Sequence, residues 1–196
     1  MCQHCCAGDA PFGLAEPQAA MLESYRAALL RGWSPDIVSD VSATLLAEIE
    51  RDPVAFIGRR SDAANGEVAG RMVTLPDGHQ VPRLPMRERW IWDGAFAGRI
   101  SLRYTPGTNA LNPHSLGHIG YTVVPWKQRR GYATRALAHM LGEARAVGLT
   151  AIEIVCEPDN RPSQQVILAN GGRFVEEFTA EHYARPRKFR YAVDLT

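Results

Sequence analysis

The chain has 196 residues, 45% hydrophobic and 22% charged, enough apolar content for a sizeable buried core and about one to one-and-a-half domains by length. Its 22 Lys and Arg meet 21 acidic residues for a formal net charge of +1, which excludes nucleic-acid or anionic-membrane binding driven by bulk charge. No stretch approaches the roughly 20 apolar residues of a membrane helix, and the first residues carry no basic segment followed by an apolar run, so a cytoplasmic protein without membrane contact is the expectation.

Residues 1–15 are small and Gly/Pro-containing and read as a tail, followed by one domain over 16–196. Cys2, His4, Cys5 and Cys6 cluster in the tail. A closed zinc site joins two separated ligand pairs, and no second pair follows, so no metal site is expected. Cys156 stands alone in an apolar run and reads as a small core residue.

From Glu16 to Arg31, Ala20, Met21, Tyr25, Ala28 and Leu29 recur at helical spacing. Gly32 suits the stop. Ser34-Pro35-Asp36 resembles a second helix start, with an apolar face running through Ile37, Val41, Leu45, Leu46 and Ile49 until Asp52-Pro53 breaks it. Val54–Arg59 and Val68–Leu75 read as strands. Arg89–Trp92 and Phe96–Tyr104 flank Asp93-Gly94, a tight-hairpin dipeptide. A loop covers Thr105–Leu116. Then come a strand (His118–Val124), a Gly-containing turn (Gln128–Ala133), a helix (Thr134–Val147), a strand (Ala151–Cys156), a short helix (Asn160–Asn170) and two closing strands (Phe174–Phe178 and Phe189–Leu195). Strand, helix, strand implies a parallel pair, whereas the earlier hairpin is antiparallel. The expected fold is therefore α/β (α+β), with a mixed, mostly antiparallel sheet flanked by helices.

The turn places Gln-x-x-Gly-x-Ala, Gln128 to Ala133, between a strand and a helix. A helix N-terminus has unpaired N–H groups and a partial positive charge. Gly131 and Ala133 let the backbone approach an anion such as a pyrophosphate, and Arg129 and Arg130 add charge-assisted contacts. Ordinary tight turns share this hexapeptide spacing. Its surroundings narrow the reading: Gly117-His118-Ile119-Gly120-Tyr121-Thr122-Val123 leads in, and Asp159-Asn160, Ser163 and Asn170-Gly171-Gly172 follow.

This segment, about Gly117 to Val175, resembles the GNAT superfamily of N-acetyltransferases. Gly98–Arg103 is similar to the preceding strand in those proteins. The resemblance implies two parallel strands splayed like a V, here His118–Val124 and Ala151–Cys156, with the pantetheine arm of acetyl-CoA between them as an added strand would lie. It assigns backbone contacts to Tyr121, Thr122, Val123 and Val124. It assigns the pyrophosphate to Gln128, Arg129, Arg130, Gly131, Tyr132, Ala133 and Thr134, and pantetheine contacts to Asn160 and Ser163.

Acetyl transfer needs an amine that has lost its proton, since an alkylammonium has a pKa near 10.4, and donors for the oxyanion. Backbone N–H groups near Tyr121–Val123 suit the second task. His118 occupies the position where many relatives carry a Glu base, and imidazole suits proton transfer at neutral pH. The bland alternative is a strand histidine that bonds a neighbour. Glu153 is a weaker base candidate. Ile167 stands where many relatives place the Tyr that protonates the leaving thiolate, which leaves Tyr121 as the candidate acid. Arg103 is a candidate partner for a substrate carboxylate. Tyr104, His114, Trp90 and Trp92 border the expected acceptor pocket, with structural roles as the alternative. Arg185, Arg187, Lys188 and Arg190 read as a solvated loop and strand edge. An amine of a small molecule or peptide is the expected acceptor. A catalytically silent acyl-CoA sensor is the competing reading. The sequence leaves the oligomeric state open, with a homodimer through paired sheet edges as one option that such folds offer.

Overall fold

The computed structural model describes residues 12–36, 39–64, 72–74, 78–111, 115–181 and 185–196. Two main sheets, built from antiparallel pairings, pack against helix α4 in one core. The first sheet has the order β1-β4-β5-β6, from Gly13–Ala15, Met86–Trp92, Phe96–Arg103 and Ile119–Val123. The second has the order β7-β9-β8, from Ala151–Cys156, Arg187–Asp194 and Arg173–Thr179. A small hairpin, β2 (Met72–Thr74) with β3 (Gln80–Pro82), stands apart. The helices are α1 (Leu22–Leu30), α2 (Ser42–Arg51), α3 (Pro53–Ala64), α4 (Tyr132–Ala146) and α5 (Arg161–Ala169).

The last third follows the sequence expectation closely. Helix α4 buries Ala136, Leu137, Met140, Leu141 and Ala144, which are spaced three and four apart and so share one face. That face meets Ile91, Ile100, Leu102, Ile152, Ile154 and Val193 from both sheets to make the main core. Strand β7 alternates half-buried and buried positions along its length, as a sheet with one face inward requires.

The first half departs from expectation in three places. Residues Gly13–Ala15, expected in the tail, pair with Trp92, Ile91 and Trp90 as an edge strand. The second helix begins at Ser42 rather than Ser34, because the Ser34 hydroxyl accepts from the Asp36 and Val41 amides and holds a loop. Residues 54–59 are helical, inside α3, not a strand. Asp52-Pro53, read as a breaker, is instead a helix start: the Asp52 carboxylate accepts from the Ala55 amide at 2.8 Å and Pro53 takes the first helical position. Of the strand expected over 68–75, Met72–Thr74 forms β2, and residues 68–71 and 75 lie outside the described residues.

A second, aromatic core joins these N-terminal helices to the first sheet. Tyr25 stacks on Trp90 with centroids 4.6 Å apart and meets Trp33, Phe56 and Phe96 at their edges or at a tilt. Trp90 is therefore a core residue, and Trp92 packs against the same cluster. At its border, Glu88 is 2% exposed. Its carboxylate accepts from Arg60 Nη1 at 2.9 Å, Trp90 Nε1 at 3.1 Å and Arg99 Nη1 at 3.2 Å. Burial works against the charge, but Arg60 and Arg99 outweigh it and hold the carboxyl below its ordinary range. Removing one member strands buried charge, so Glu88→Ala is expected to cost about 3–5 kcal/mol of unfolding free energy in urea melts. Breaking the exposed Arg187–Glu177 pair should leave stability nearly unchanged.

Candidate active site

Strands β6 and β7 belong to different sheets yet meet at one point. The His118 amide donates to the Glu153 carbonyl at 2.8 Å, and the Glu153 amide donates to His118 Nδ1 at 2.9 Å. Gly117 precedes the contact. A Cβ there would lie 3.0 Å from the Glu153 carbonyl oxygen and 3.3 Å from the Val155 nitrogen, so the close approach needs glycine. Beyond this point the strands part. Residues 119–123 and 154–157 all line one cavity of about 1280 Å³. This is the expected splayed pair, closed at its vertex by His118 and Glu153. Strand β6 is the outer strand of its sheet, so alternate backbone groups point away from β5 into the gap.

One end of the cavity is the Gly-containing loop. Arg129 and Gly131 have φ of 64° and 74°. The first intrahelical bond of α4 is from the Arg135 amide to the Gly131 carbonyl, so the amides of Tyr132, Ala133 and Thr134 have no partner within the helix. All three residues line the cavity, as do Gln128, Arg129 and Gly131. Successive left-handed and helical residues ahead of a bare helix start form a concave anion site. The Gln128 side chain itself folds back and donates to the Val123 carbonyl at 3.2 Å. Arg130 is not among the lining residues.

Asp93, read from sequence only as a turn residue, holds this loop at both ends. Its carboxylate accepts from Lys127 Nζ and from the Tyr132 hydroxyl, each at 2.5 Å. Partial burial raises the carboxyl pKa, and the two donors more than offset this and lower it. A carboxylate flanked by Lys four residues before Gly131 and Tyr one residue after it was the available signal, but nothing in one strand of sequence says that residues 93 and 127 meet.

The wall facing α5 carries the candidate acid. The Tyr121 hydroxyl lies 2.8 Å from Ser163 Oγ, and burial pushes its pKa up to about 12, so the phenol keeps its proton. Asn160 caps α5 by accepting from the Ser163 amide at 3.1 Å. Tyr121, Asn160 and Ser163 all line the cavity, as do Thr122 and Val123. Cys156 is buried as expected and also reaches this wall. Ile167 is fully buried. Val124 stays outside the cavity: its amide donates to the Ala97 carbonyl and its carbonyl accepts from Lys127.

The expected bases are placed differently. His118 is 2% exposed and is not among the lining residues. With Nδ1 accepting from an amide, Nε2 carries the proton and donates to the Asn109 carbonyl at 3.0 Å. Both ring nitrogens are thus occupied, and the arrangement matches the bland alternative rather than a base with a lone pair toward the cavity. Glu153 also lies outside the cavity, with its carboxylate 3.2 Å from Arg190 Nη1. The lining carboxylates among the described residues are Asp36 and Glu157. Glu157 accepts from Lys188 at 3.0 Å. Lys188 is 5% exposed and lines the cavity, unlike its neighbours Arg185 and Arg187, which sit in exposed pairs with Asp159 and Glu177. Arg103 lines the cavity near the vertex and donates to the Gly117 carbonyl at 3.2 Å. Tyr104 packs against the main core. His114 and the Cys2, His4, Cys5, Cys6 cluster lie outside the described residues.

Burial, the largest influence, pushes the His118 pKa down, and Arg103 adds to it. The Asn109 carbonyl and the Glu153 carboxylate act the other way without compensating. With a folded pKa below the unfolded value of about 6.5, the unfolded chain binds more protons in acid. Stability is then complete above about pH 6.5 and falls as pH drops through the folded pKa. Denaturant melts across pH 7 to 5 should show this loss, and a His118→Asn variant should show a shallower one.

The family model described as the acetyltransferase (GNAT) domain matches residues 43–173. No curated protein sequence matches the chain. Among solved structures, the microcin C7 self-immunity acetyltransferase MccE in complex with acetyl-CoA and AMP is 16% identical, with a TM-score of 0.63 over 93% of this chain and 92% of that one. RimL, a ribosomal L7/L12 alpha-N-protein acetyltransferase in complex with coenzyme A, is 16% identical, with a TM-score of 0.65 over 94% and 96%. RimJ from Mycobacterium smegmatis, in complex with a coenzyme A disulfide, is 21% identical, with a TM-score of 0.65 over 94% and 82%. At these identities the structures establish a shared fold. The family model, which covers more than half the chain and coincides with the splayed strands and the bare helix start, establishes that this protein belongs to the GNAT acetyltransferase family.

Proposed function

We propose that this enzyme works in the cytoplasm and transfers the acetyl group of acetyl-CoA to an amine of a small molecule or peptide. The observation that carries this reading is the cavity between β6 and β7, which ends on the bare amides of α4. A diphosphate fits the anion site at Arg129–Thr134. The pantetheine arm has the outer edge of β6 as its template, with Asn160 and Ser163 on the facing wall. At about 1280 Å³ the cavity exceeds the roughly 300–1,000 Å³ of a drug-sized site, which leaves room for an acceptor beside the cofactor. Arg103 near the vertex is the proposed contact for an acceptor carboxylate.

In the reaction, the amine releases its ammonium proton to water, its nitrogen lone pair attacks the thioester carbonyl carbon, and the proton that remains in excess on the nitrogen passes to water as the tetrahedral intermediate collapses. Backbone amides along β6 stabilise the oxyanion. The carbon–sulfur bond then breaks and the thiolate takes a proton from the Tyr121 hydroxyl, and the phenolate is reprotonated by water, directly or relayed by the Ser163 hydroxyl. A thiol with pKa of about 8.5 leaves tolerably without such help. Loss of the phenol is therefore expected to matter at the low end of general acid catalysis. Tyr121→Phe should lower kcat about tenfold to a hundredfold while coenzyme A still binds, as read by thiol release against a panel of amines. Asp93→Asn should act on binding instead. Without the ion pair to Lys127, the loop loses its anchor, and coenzyme A affinity by calorimetry should fall about fivefold to tenfold.

A catalytically silent acyl-CoA sensor is the second reading. Buried Ile167 at the usual acid position and the occupied His118 ring favour it, and Tyr121 within reach of Ser163 opposes it. Coenzyme A binding without thiol release against any amine in the panel would select the sensor. The proposal includes a homodimer through β8, the outer strand of its sheet, which leaves Phe174 and Val175 half exposed.

A further inference from the structure

The vertex of the V is held by a side chain in a place where a strand ladder would use backbone. Glu153 presents its carbonyl and its amide toward β6. The His118 amide satisfies the carbonyl at 2.8 Å, and the His118 ring satisfies the amide at 2.9 Å. The other face of the ring is fixed as well. Nε2 donates to the Asn109 carbonyl at 3.0 Å. The Asn109 side chain in turn accepts from the Thr150 amide at 3.0 Å and donates to Thr150 Oγ1 at 2.7 Å, at the start of β7. On the far side, the Arg103 amide donates to the His118 carbonyl at 2.7 Å, which ties the residue to β5. One buried imidazole therefore connects both sheets and the loop after β5. Both of its neighbours, Gly117 and Ile119, line the cavity, and His118 between them does not.

We infer that His118 is a positioning residue: a neutral clasp that locks β6 against β7 at the point where they meet, and so sets the width of the slot that receives the cofactor arm. With the His118 amide on the Glu153 carbonyl, a parallel register would give the Glu153 amide to a backbone carbonyl before His118, and the ring takes that place. A vertex without the clasp would leave the Glu153 amide buried and unmet and let the two sheets drift. The role depends on the acetyl-CoA reading for its consequence, but the clasp itself is a property of the free protein.

The two ring nitrogens can be separated by substitution. Asn Oδ1 and His Nδ1 are each one bond from Cγ, so His118→Asn keeps an acceptor for the Glu153 amide. His118→Gln keeps a donor at the reach of Nε2, toward the Asn109 carbonyl, and loses that acceptor. His118→Ala loses both. The first measurement is hydrogen exchange of the Glu153 amide in the free full-length protein. Exchange should be faster by about tenfold in the Ala and Gln variants, the size of one lost buried hydrogen bond, and within about threefold of the parent in the Asn variant. Coenzyme A affinity by calorimetry should follow the same order, with Asn rescuing what Ala and Gln lose. A base predicts a different pattern: kcat collapses equally in all three variants, while Glu153 exchange and coenzyme A affinity stay at parent values. That result overturns the clasp, as does unchanged Glu153 exchange in His118→Ala. Should the parent protein release no thiol with any amine, the proposed function fails, yet the exchange and affinity series still decides the clasp. If His118→Ala does not fold, the Asn and Gln pair carries the comparison.

Discussion

Two antiparallel sheets that touch at a single rung pose a mechanical problem, and the bonds between His118 and Glu153 are its solution. Backbone hydrogen bonding is cooperative along a ladder, so two adjacent strand edges tend to zip together. Here one backbone rung, and one bond from the Glu153 amide to the imidazole, hold the point of contact. Residues 119–123 and 154–157 beyond it line the cavity instead of pairing with each other. The loop anchor, the anion site and the candidate acid all take their positions from that divergence.

The rest of the molecule braces the two arms. Helix α4 fills the space behind both sheets with one apolar face, so its N-terminus is carried to the open end of the V. The aromatic core behind β4 and β5 fixes the first sheet from its other side. Trp33 extends that support to the binding wall, where its indole donates to Thr122 Oγ1 at 3.3 Å. Two shielded carboxylates tie distant elements together. Glu88 joins α3 to β4 and β5 through Arg60 and Arg99, and the Arg99 guanidinium also donates to the Pro35 carbonyl at 3.0 Å. Asp93 joins the hairpin to the cofactor loop. Both carboxylates lie on β4 or its turn, so the hairpin that carries no chemistry of its own sets the geometry of the parts that do.

The two ends of the cavity differ in how they are encoded. The bare helix start is local: Gly131 and the first turn of α4 are consecutive in the chain, and their backbone conformation leaves the amides of Tyr132, Ala133 and Thr134 without helical partners, while distant Asp93 anchors the loop. Other lining side chains come from scattered places: Arg103 from β5, Glu157 just after β7, Lys188 from β9 and Asp36 from the loop before α2. Those residues are far apart in sequence and meet only through packing. Lys188 makes the point: within a run of basic residues it looks solvated, but strand alternation turns it inward to Glu157 while Arg187 faces water.

What the sequence determined by itself is what short-range physics governs. The spacing of Leu137, Met140, Leu141 and Ala144 made α4 a helix with a core face. Gly131 opened it, Asp93-Gly94 turned the hairpin, and the GNAT signatures gave the family. Local signals were also present where they were misread: Asp52-Pro53 starts a helix as readily as it ends one, and Val54–Arg59 has the composition of a strand but follows a capped helical start. Only the tertiary structure decided the roles of His118, Glu153, Asp93 and Glu88. The sequence supplied a histidine in the position of a base. Whether its lone pair faces a substrate or a backbone amide depends on what lies across the sheet, and a hydrogen bond between residues 118 and 153 exists only after the two strands have been brought together.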